Sequence, residues 1–248
     1  MTSPILSIKF CEIIFTLLTI IRLCRAIVNL FLPLNTINMC MIGVIAGYRT
    51  GSSTLVEDLG KTFNLTRTTK FTSELDFLEG HYRPPYARQQ LYKIMPIRVK
   101  DECWNKFCED WVAPSVCFYT VREDITAQIK SLALAYTTSI FHPDERNKDL
   151  HTWTETFNHH RGTQFEPKQM QDYVDSQITE DVLEYFKPDV IKNLNRQKEL
   201  FDRFGGKVIP LESRCADLGI TKYVYPINFP NKLRFWDSNL DIREWFDL

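Results

Sequence analysis

An excess of charge of either sign is missing from this chain. Its 248 residues carry 30 Lys and Arg against 31 Asp and Glu, a formal net charge of −1. No broad positive field draws it to nucleic acid, and any attraction for an anion must be local. Internal repeats and low-complexity tracts are also absent, which excludes a repeat array. Zinc-ligand spacing is missing: Cys103 and Cys108 have no second Cys or His pair, and His142, His151, His159 and His160 form neither a His-x3-His nor a His-Glu-x-x-His pattern. The seven cysteines are odd in number and irregularly spaced. Read as free thiols they indicate a reducing compartment and a cytoplasmic protein, while one sequon, Asn64-Leu65-Thr66, keeps a luminal alternative open.

An uninterrupted apolar run of spanning length is the last absence. Ile13 to Ile21 and Ala26 to Leu34 are apolar but for a few polar positions, and Arg22 and Arg25 lie between them. A bilayer span needs about 20 apolar residues, and each central arginine costs roughly 2.5–3.5 kcal/mol. Residues 1–40 therefore form a hydrophobic extension with three readings: a membrane anchor, an interfacial helix contacting the membrane through residues 5–34, or a segment outside the folded domain. The domain itself is expected over 41–248. With 44% hydrophobic and 25% charged residues, the composition is that of a globular protein.

What is present begins at Ile42-Gly43-Val44-Ile45-Ala46. This short apolar strand runs into Gly47-Tyr48-Arg49-Thr50-Gly51-Ser52-Ser53-Thr54 and then into an amphipathic helix with Leu55, Val56 and Leu59 inward. Backbone N–H groups at a helix start have no intrahelical partners and the helix dipole favours negative charge there, so the turn is an anion cradle suited to phosphate. Against the triphosphatase pattern Gly-x4-Gly-Lys-Ser/Thr, Ala46 stands for the first glycine, Gly51 for the second, Ser52 for the lysine and Ser53 for the hydroxyl. Loss of that lysine argues against ordinary nucleotide hydrolysis or kinase chemistry. The cation in the turn is Arg49.

Further along, Tyr92 to Val99 reads as a short edge strand carrying Pro96. Val116 to Val121 is a buried strand with Arg122 at its end, and from Asp124 the spacing of Ile125, Ile129, Leu132 and Tyr136 is helical, with Ser131 on that helix. Residues 141–170 read as a solvated loop or an acceptor-binding lid. Residues 171–204 are one or two helices stopped by Gly205-Gly206, and Lys207 to Leu211 is a last strand. The aromatic tail beyond Lys222 is expected to cover core. Alternating strands and helices predict an α/β three-layer sandwich with a mainly parallel central sheet.

A strand followed by Arg49-Thr50-Gly51-Ser52-Ser53-Thr54 resembles the 5′-phosphosulfate loop of sulfotransferases that use 3′-phosphoadenosine 5′-phosphosulfate. Arg122, Asp124, Gln128, Ser131 and Leu132 resemble the Arg-x-Asp…Gln-x-x-Ser-Leu pattern of the trehalose sulfotransferase-like bacterial branch. The resemblance implies a P-loop-type sulfotransferase fold. It also implies cofactor binding by Arg49, Thr50, Gly51, Ser52, Ser53 and Thr54 at the 5′ end and by Arg122 and Ser131 at the 3′-phosphate. Arg49 then stabilises charge on the leaving phosphate, no metal is required, and the product is 3′,5′-adenosine bisphosphate. Glu74, in Ser73-Glu74-Leu75-Asp76-Phe77, is the counterpart of that branch's base, with Asp76, Glu79 and His81 as rivals. The basic, glycine-containing segment that many sulfotransferases carry late in the chain is not found in its usual form; Lys222, Lys232 and Arg234 are the candidates to replace it. The expected partner is a carbohydrate or other small acceptor, with no nucleic acid. A small-molecule or nucleotide kinase with a degenerate loop and a non-catalytic nucleotide-binding relative are the alternatives.

Overall fold

Among the described residues, four short strands in parallel alignment carry the structure. The computed structural model describes residues 41–62, 91–141, 149–213 and 226–246. The extension over 1–40 and the residues Glu74, Asp76, Glu79, His81 and Lys222 lie outside them. Strands β1 (Met41–Ala46), β2 (Leu91–Ile94), β3 (Ser115–Val121) and β4 (Lys207–Pro210) form a sheet of order β2-β1-β3-β4. Every pairing is parallel, with Ile42 opposite Leu91, Ala46 opposite Thr120 and Val121 opposite Pro210. Parallel strands are buried on both faces and so read as near-continuous apolar runs, as Met41 to Ala46 does.

Helices cover both faces. On one, Val44 and Phe118 pack with Leu55 and Val56 of α1 (Ser52–Thr62). On the other, Met41, Ile45, Cys117 and Tyr119 meet two layers of cover. One is Phe107 and Trp111, from α2 (Trp104–Phe107) and the π turn Cys108–Val112 that continues it; the other is Leu200. A further cluster joins α3 (Ile125–Thr138), α4 (Leu150–Arg161), α5 (Pro167–Gln177) and α6 (Glu180–Phe204), and a last turn, α7 (Arg243–Phe246), adds Phe246 to it. The result is the α/β sandwich expected, all-parallel among the described residues. Cys103 and Cys108 are free and buried, and Cys117 is buried. No described helix is long and apolar enough to cross a membrane.

Two readings of the sequence need correction. The strand at Tyr92 ends at Ile94, and Pro96–Arg98 is a 3-10 turn with proline in its first turn; Pro96 has no N–H to continue a ladder. The part of 141–170 placed between Leu150 and Arg161 is a helix, capped by Asp149, whose carboxylate accepts from Thr152 N–H. Trp153 and Phe157, four apart and so on one helical face, are fully buried in the core rather than in a lid.

Strand order fixes where a ligand can sit. The chain enters at β1, steps to β2 on one side, then crosses to β3 on the other. In open α/β sheets the crevice outside the carboxyl ends of the strands at this reversal is the binding position. Both candidate anion-binding elements leave from there.

Candidate functional site

The loop after β1 is locked by its own side chains. Gly47 N–H donates to the Thr120 carbonyl at 3.1 Å, and a Cβ on Gly47 would stand 2.7 Å from the Thr50 methyl and 3.0 Å from that carbonyl oxygen. Only glycine fits so close an approach. The Thr50 hydroxyl donates to Gly47 O at 2.9 Å, so in its 2.7 Å contact with Thr120 Oγ1 the Thr120 hydroxyl is the donor. Thr50 is thus engaged within the loop, and what it turns toward a ligand is backbone. Arg49 and Gly51 both have left-handed backbone, at φ 55° and 68°. For arginine this costs roughly 1–2 kcal/mol, which its side-chain contacts must offset. Helix α1 then starts: Leu55 N–H donates to Gly51 O at 3.2 Å, and the N–H groups of Ser52, Ser53 and Thr54 lie in a first turn with no intrahelical acceptors.

Two cations stand at this loop, Arg49 within it and Lys93 from β2. Arg49 Nε donates to Ser131 Oγ at 3.1 Å, and its Nη1 donates to the carbonyl of Phe141. Lys93 Nζ donates to Ser53 Oγ at 3.1 Å. Lys93 sits on β2 opposite Val44, on the face that α1 covers, and escaped the sequence reading. Its signal was a lysine inside the apolar run Leu91-Tyr92-Lys93-Ile94, which acquires meaning only once β2 is known to flank β1.

The second anchor stands at the end of β3. Asp124 caps α3 by accepting from Ala127 N–H at 2.7 Å, and Arg122 Nη1 donates to Ala127 O at 3.3 Å. Arg122 Nε lies 3.3 Å from Glu212 Oε1, a carboxylate just beyond β4. Ser131 is one turn past Ala127 on the same face of α3, and its hydroxyl accepts from Arg49 Nε. Gln128, buried on the same helix, donates from Nε2 to Tyr48 O at 2.6 Å. Helix α3 therefore holds the first loop while carrying the second anchor. Lys232 and Arg234 are exposed in the tail; Arg234 O accepts from Lys130 Nζ at 3.1 Å, and its guanidinium lies over the Phe235 ring. Burial pushes the Lys130 ammonium below its usual pKa.

Helix α6 fixes the strand ends from behind. Gln197 Nε2 donates to Ile45 O at 2.9 Å and Thr120 O at 3.2 Å, and Asn193 Nδ2 donates to Ala46 O at 3.2 Å. These amides satisfy carbonyls at the ends of β1 and β3, and a buried carbonyl left bare costs about 1–3 kcal/mol. On the open side, Tyr136, Phe141 and Phe186 form an aromatic cluster with centroids 5.1 and 4.9 Å apart, extended by the exposed Tyr185 ring. It adjoins Arg49 through the Phe141 carbonyl. No group of three His, Cys, Asp or Glu among the described residues is placed to hold a metal ion. Glu74, the candidate base, lies outside the described residues. Neither the scan against protein-family models nor the searches of curated proteins and of solved structures finds a match to this chain.

Proposed function

We propose that the chain is a sulfotransferase that moves the sulfuryl group of 3′-phosphoadenosine 5′-phosphosulfate to a hydroxyl of a carbohydrate or other small acceptor, on a P-loop-type sulfotransferase fold. One observation carries the reading: two arginines, Arg49 and Arg122, stand at the carboxyl ends of adjacent parallel strands on either side of the switch point, and α3 links them. In the transfer, the acceptor oxygen bonds to sulfur as the sulfur–oxygen bond to the 5′-phosphate breaks. The acceptor proton goes to a base, proposed to be Glu74. Charge appears on the departing 5′-phosphate, and fixed donors aimed at such charge contribute most to rate. Arg49, the first-turn N–H groups of α1 and Lys93 beside Ser53 are those donors. Arg122, with Ser131 one turn beyond its contact on α3, holds the 3′-phosphate. The aromatic cluster of Tyr136, Phe141 and Phe186 offers the acceptor a surface on which a ring can lie.

Calorimetry with 3′,5′-adenosine bisphosphate tests this. Binding that weakens when Arg122 is replaced by Ala supports it; no binding, or binding indifferent to Arg122→Ala, refutes it. Lys93 favours a second reading, phosphotransfer from ATP, because it returns a cation to a loop that lacks the usual lysine. Its ammonium, however, occupies the Ser53 hydroxyl, the position that holds Mg²⁺ in triphosphatase loops, and two cations on one hydroxyl repel. Mg-ATP binding tighter than the bisphosphate would establish the kinase reading instead. A non-catalytic relative would bind the bisphosphate and consume no donor with any acceptor.

A further inference from the structure

Arg122 and Glu212 are an ion pair whose hydrogen bond is not made. Their side chains are only 14% and 19% exposed, with Nε and Oε1 3.3 Å apart, yet neither atom is aligned for a hydrogen bond and neither has another partner. The carboxylate is the fixed member, because its Oε2 accepts from Glu123 N–H at 2.9 Å. The guanidinium is held loosely: its remaining contact, Nη1 to Ala127 O, is 3.3 Å long, beyond the usual optimum of about 2.9–3.0 Å. An ion withdrawn from water recovers its hydration energy only through aligned, charge-assisted bonds. Arg122 has the opposite charge beside it without those bonds, so it gains by turning to an anion that supplies them.

We infer that Glu212 is a built-in competitor for Arg122 that weakens this anchor's hold on a dianionic phosphate monoester, a role that rests on Arg122 holding the 3′-phosphate as proposed. An anion that takes Arg122 must displace it from the carboxylate already in place and also bear that carboxylate's repulsion. A phosphate dianion brings twice the charge and oxygens spaced for a bidentate bond, so it draws Arg122 away, at an affinity lower than it would have without the Glu212 charge.

The decisive comparison is Glu212→Gln against the unaltered chain. The glutamine keeps an oxygen for Glu123 N–H and loses the charge. Calorimetry is run with 3′,5′-adenosine bisphosphate and with 5′-AMP, which lacks the 3′-phosphate, beside melting curves without ligand. Glu212→Gln is expected to melt at a lower temperature yet bind the bisphosphate about tenfold tighter, with 5′-AMP unchanged. A merely structural role lowers the melting temperature and tightens nothing. Unchanged or weaker bisphosphate binding in Glu212→Gln, in a chain that still prefers the bisphosphate to 5′-AMP, overturns the competitor role and leaves the sulfotransferase reading standing. If Glu212→Gln fails to fold, Glu212→Asp, which withdraws the charge by one methylene, is expected to shift affinity in the same direction by a smaller factor, and no tightening there overturns the role as well. An unaltered chain that binds both nucleotides alike, with Arg122→Ala changing neither, removes the sulfotransferase reading and the competitor together.

Discussion

Arg49 and Arg122 occupy equivalent places, each just past the carboxyl end of a central strand, but their surroundings are opposite in kind. Arg49 donates to two neutral groups, a serine hydroxyl and a backbone carbonyl. Arg122 faces a carboxylate. Arg49 is also held in a left-handed backbone by the loop's own bonds, whereas Arg122 continues directly from a strand. On the proposed function the two arginines have separate tasks, stabilising a charge that grows during reaction and recognising a charge the ligand already carries. Only the first contributes to the rate once ligand is bound.

The largest expected effect follows from that separation. Arg49→Ala should lower donor turnover by roughly 10²–10³-fold, the usual loss when one preorganised donor to a developing charge is removed. The dissociation constant for 3′,5′-adenosine bisphosphate should change by less than about tenfold, since the reacting charge is then absent. Arg122→Ala should do the reverse. Loss of a charge-assisted bond, about 1.5–3 kcal/mol, weakens bisphosphate binding by roughly 10- to 100-fold toward that of 5′-AMP, while turnover at saturating donor stays within a few-fold. Steady-state kinetics beside calorimetry measures both. Equal losses of turnover and affinity in the two variants would break the comparison.

The two anchors were not equally legible in the sequence. Both strand-to-helix junctions could be read, because each is a contiguous apolar run, a turn and a helical period. What surrounds the arginines could not. Ser131 reads, with Arg122, as a contact of the 3′-phosphate, and that its hydroxyl accepts from Arg49, 82 positions away in the chain, follows from no local pattern. Lys93 and Glu212 arrive on β2 and from just after β4, the two edges of the sheet, and no local pattern encodes strand order. Asn193 and Gln197 look like polar positions on an amphipathic helix; their burial against strand carbonyls exists only once α6 is docked. Trp153 and Phe157 had helical spacing all along, obscured by the polar residues around them.

A smaller effect sharpens the comparison. Gln128→Leu removes the bond to Tyr48 O and so bears on the Arg49 loop alone, whereas Gln197→Leu strips Ile45 and Thr120 carbonyls together and bears on both strand ends. Gln197→Leu should lower unfolding free energy by about 1–3 kcal/mol in urea titrations and degrade turnover and bisphosphate affinity together. Gln128→Leu should degrade turnover while sparing affinity. If Gln128→Leu weakens bisphosphate binding as much as Gln197→Leu does, the loop and the second anchor are one mechanical unit and the two tasks are not separately held.

The smallest effect tests the Arg122 side from the tail. Thr126, in the first turn of α3, donates to Asp237 Oδ1 at 2.6 Å and accepts from Ser238 N–H at 3.0 Å, tying the tail to the helix that Arg122 touches. That donated bond holds the Asp237 carboxyl below its ordinary pKa of 3.8. A carboxylate depressed in the folded state contributes stability that is complete above the unfolded pKa and is lost as pH falls through the lower folded value. Thr126→Val removes the donor, so the variant should be slightly less stable than the parent at neutral pH, and the gap should close as pH drops below about 4. Urea midpoints measured at neutral and acid pH read this directly. A gap that persists unchanged into acid would mean that Thr126 acts through the Ser238 N–H bond and packing rather than through Asp237. Because Thr126 lies one residue before the carbonyl that Arg122 Nη1 meets, the variant should shift bisphosphate affinity slightly and leave turnover at saturation alone, placing it with Arg122 rather than with Arg49.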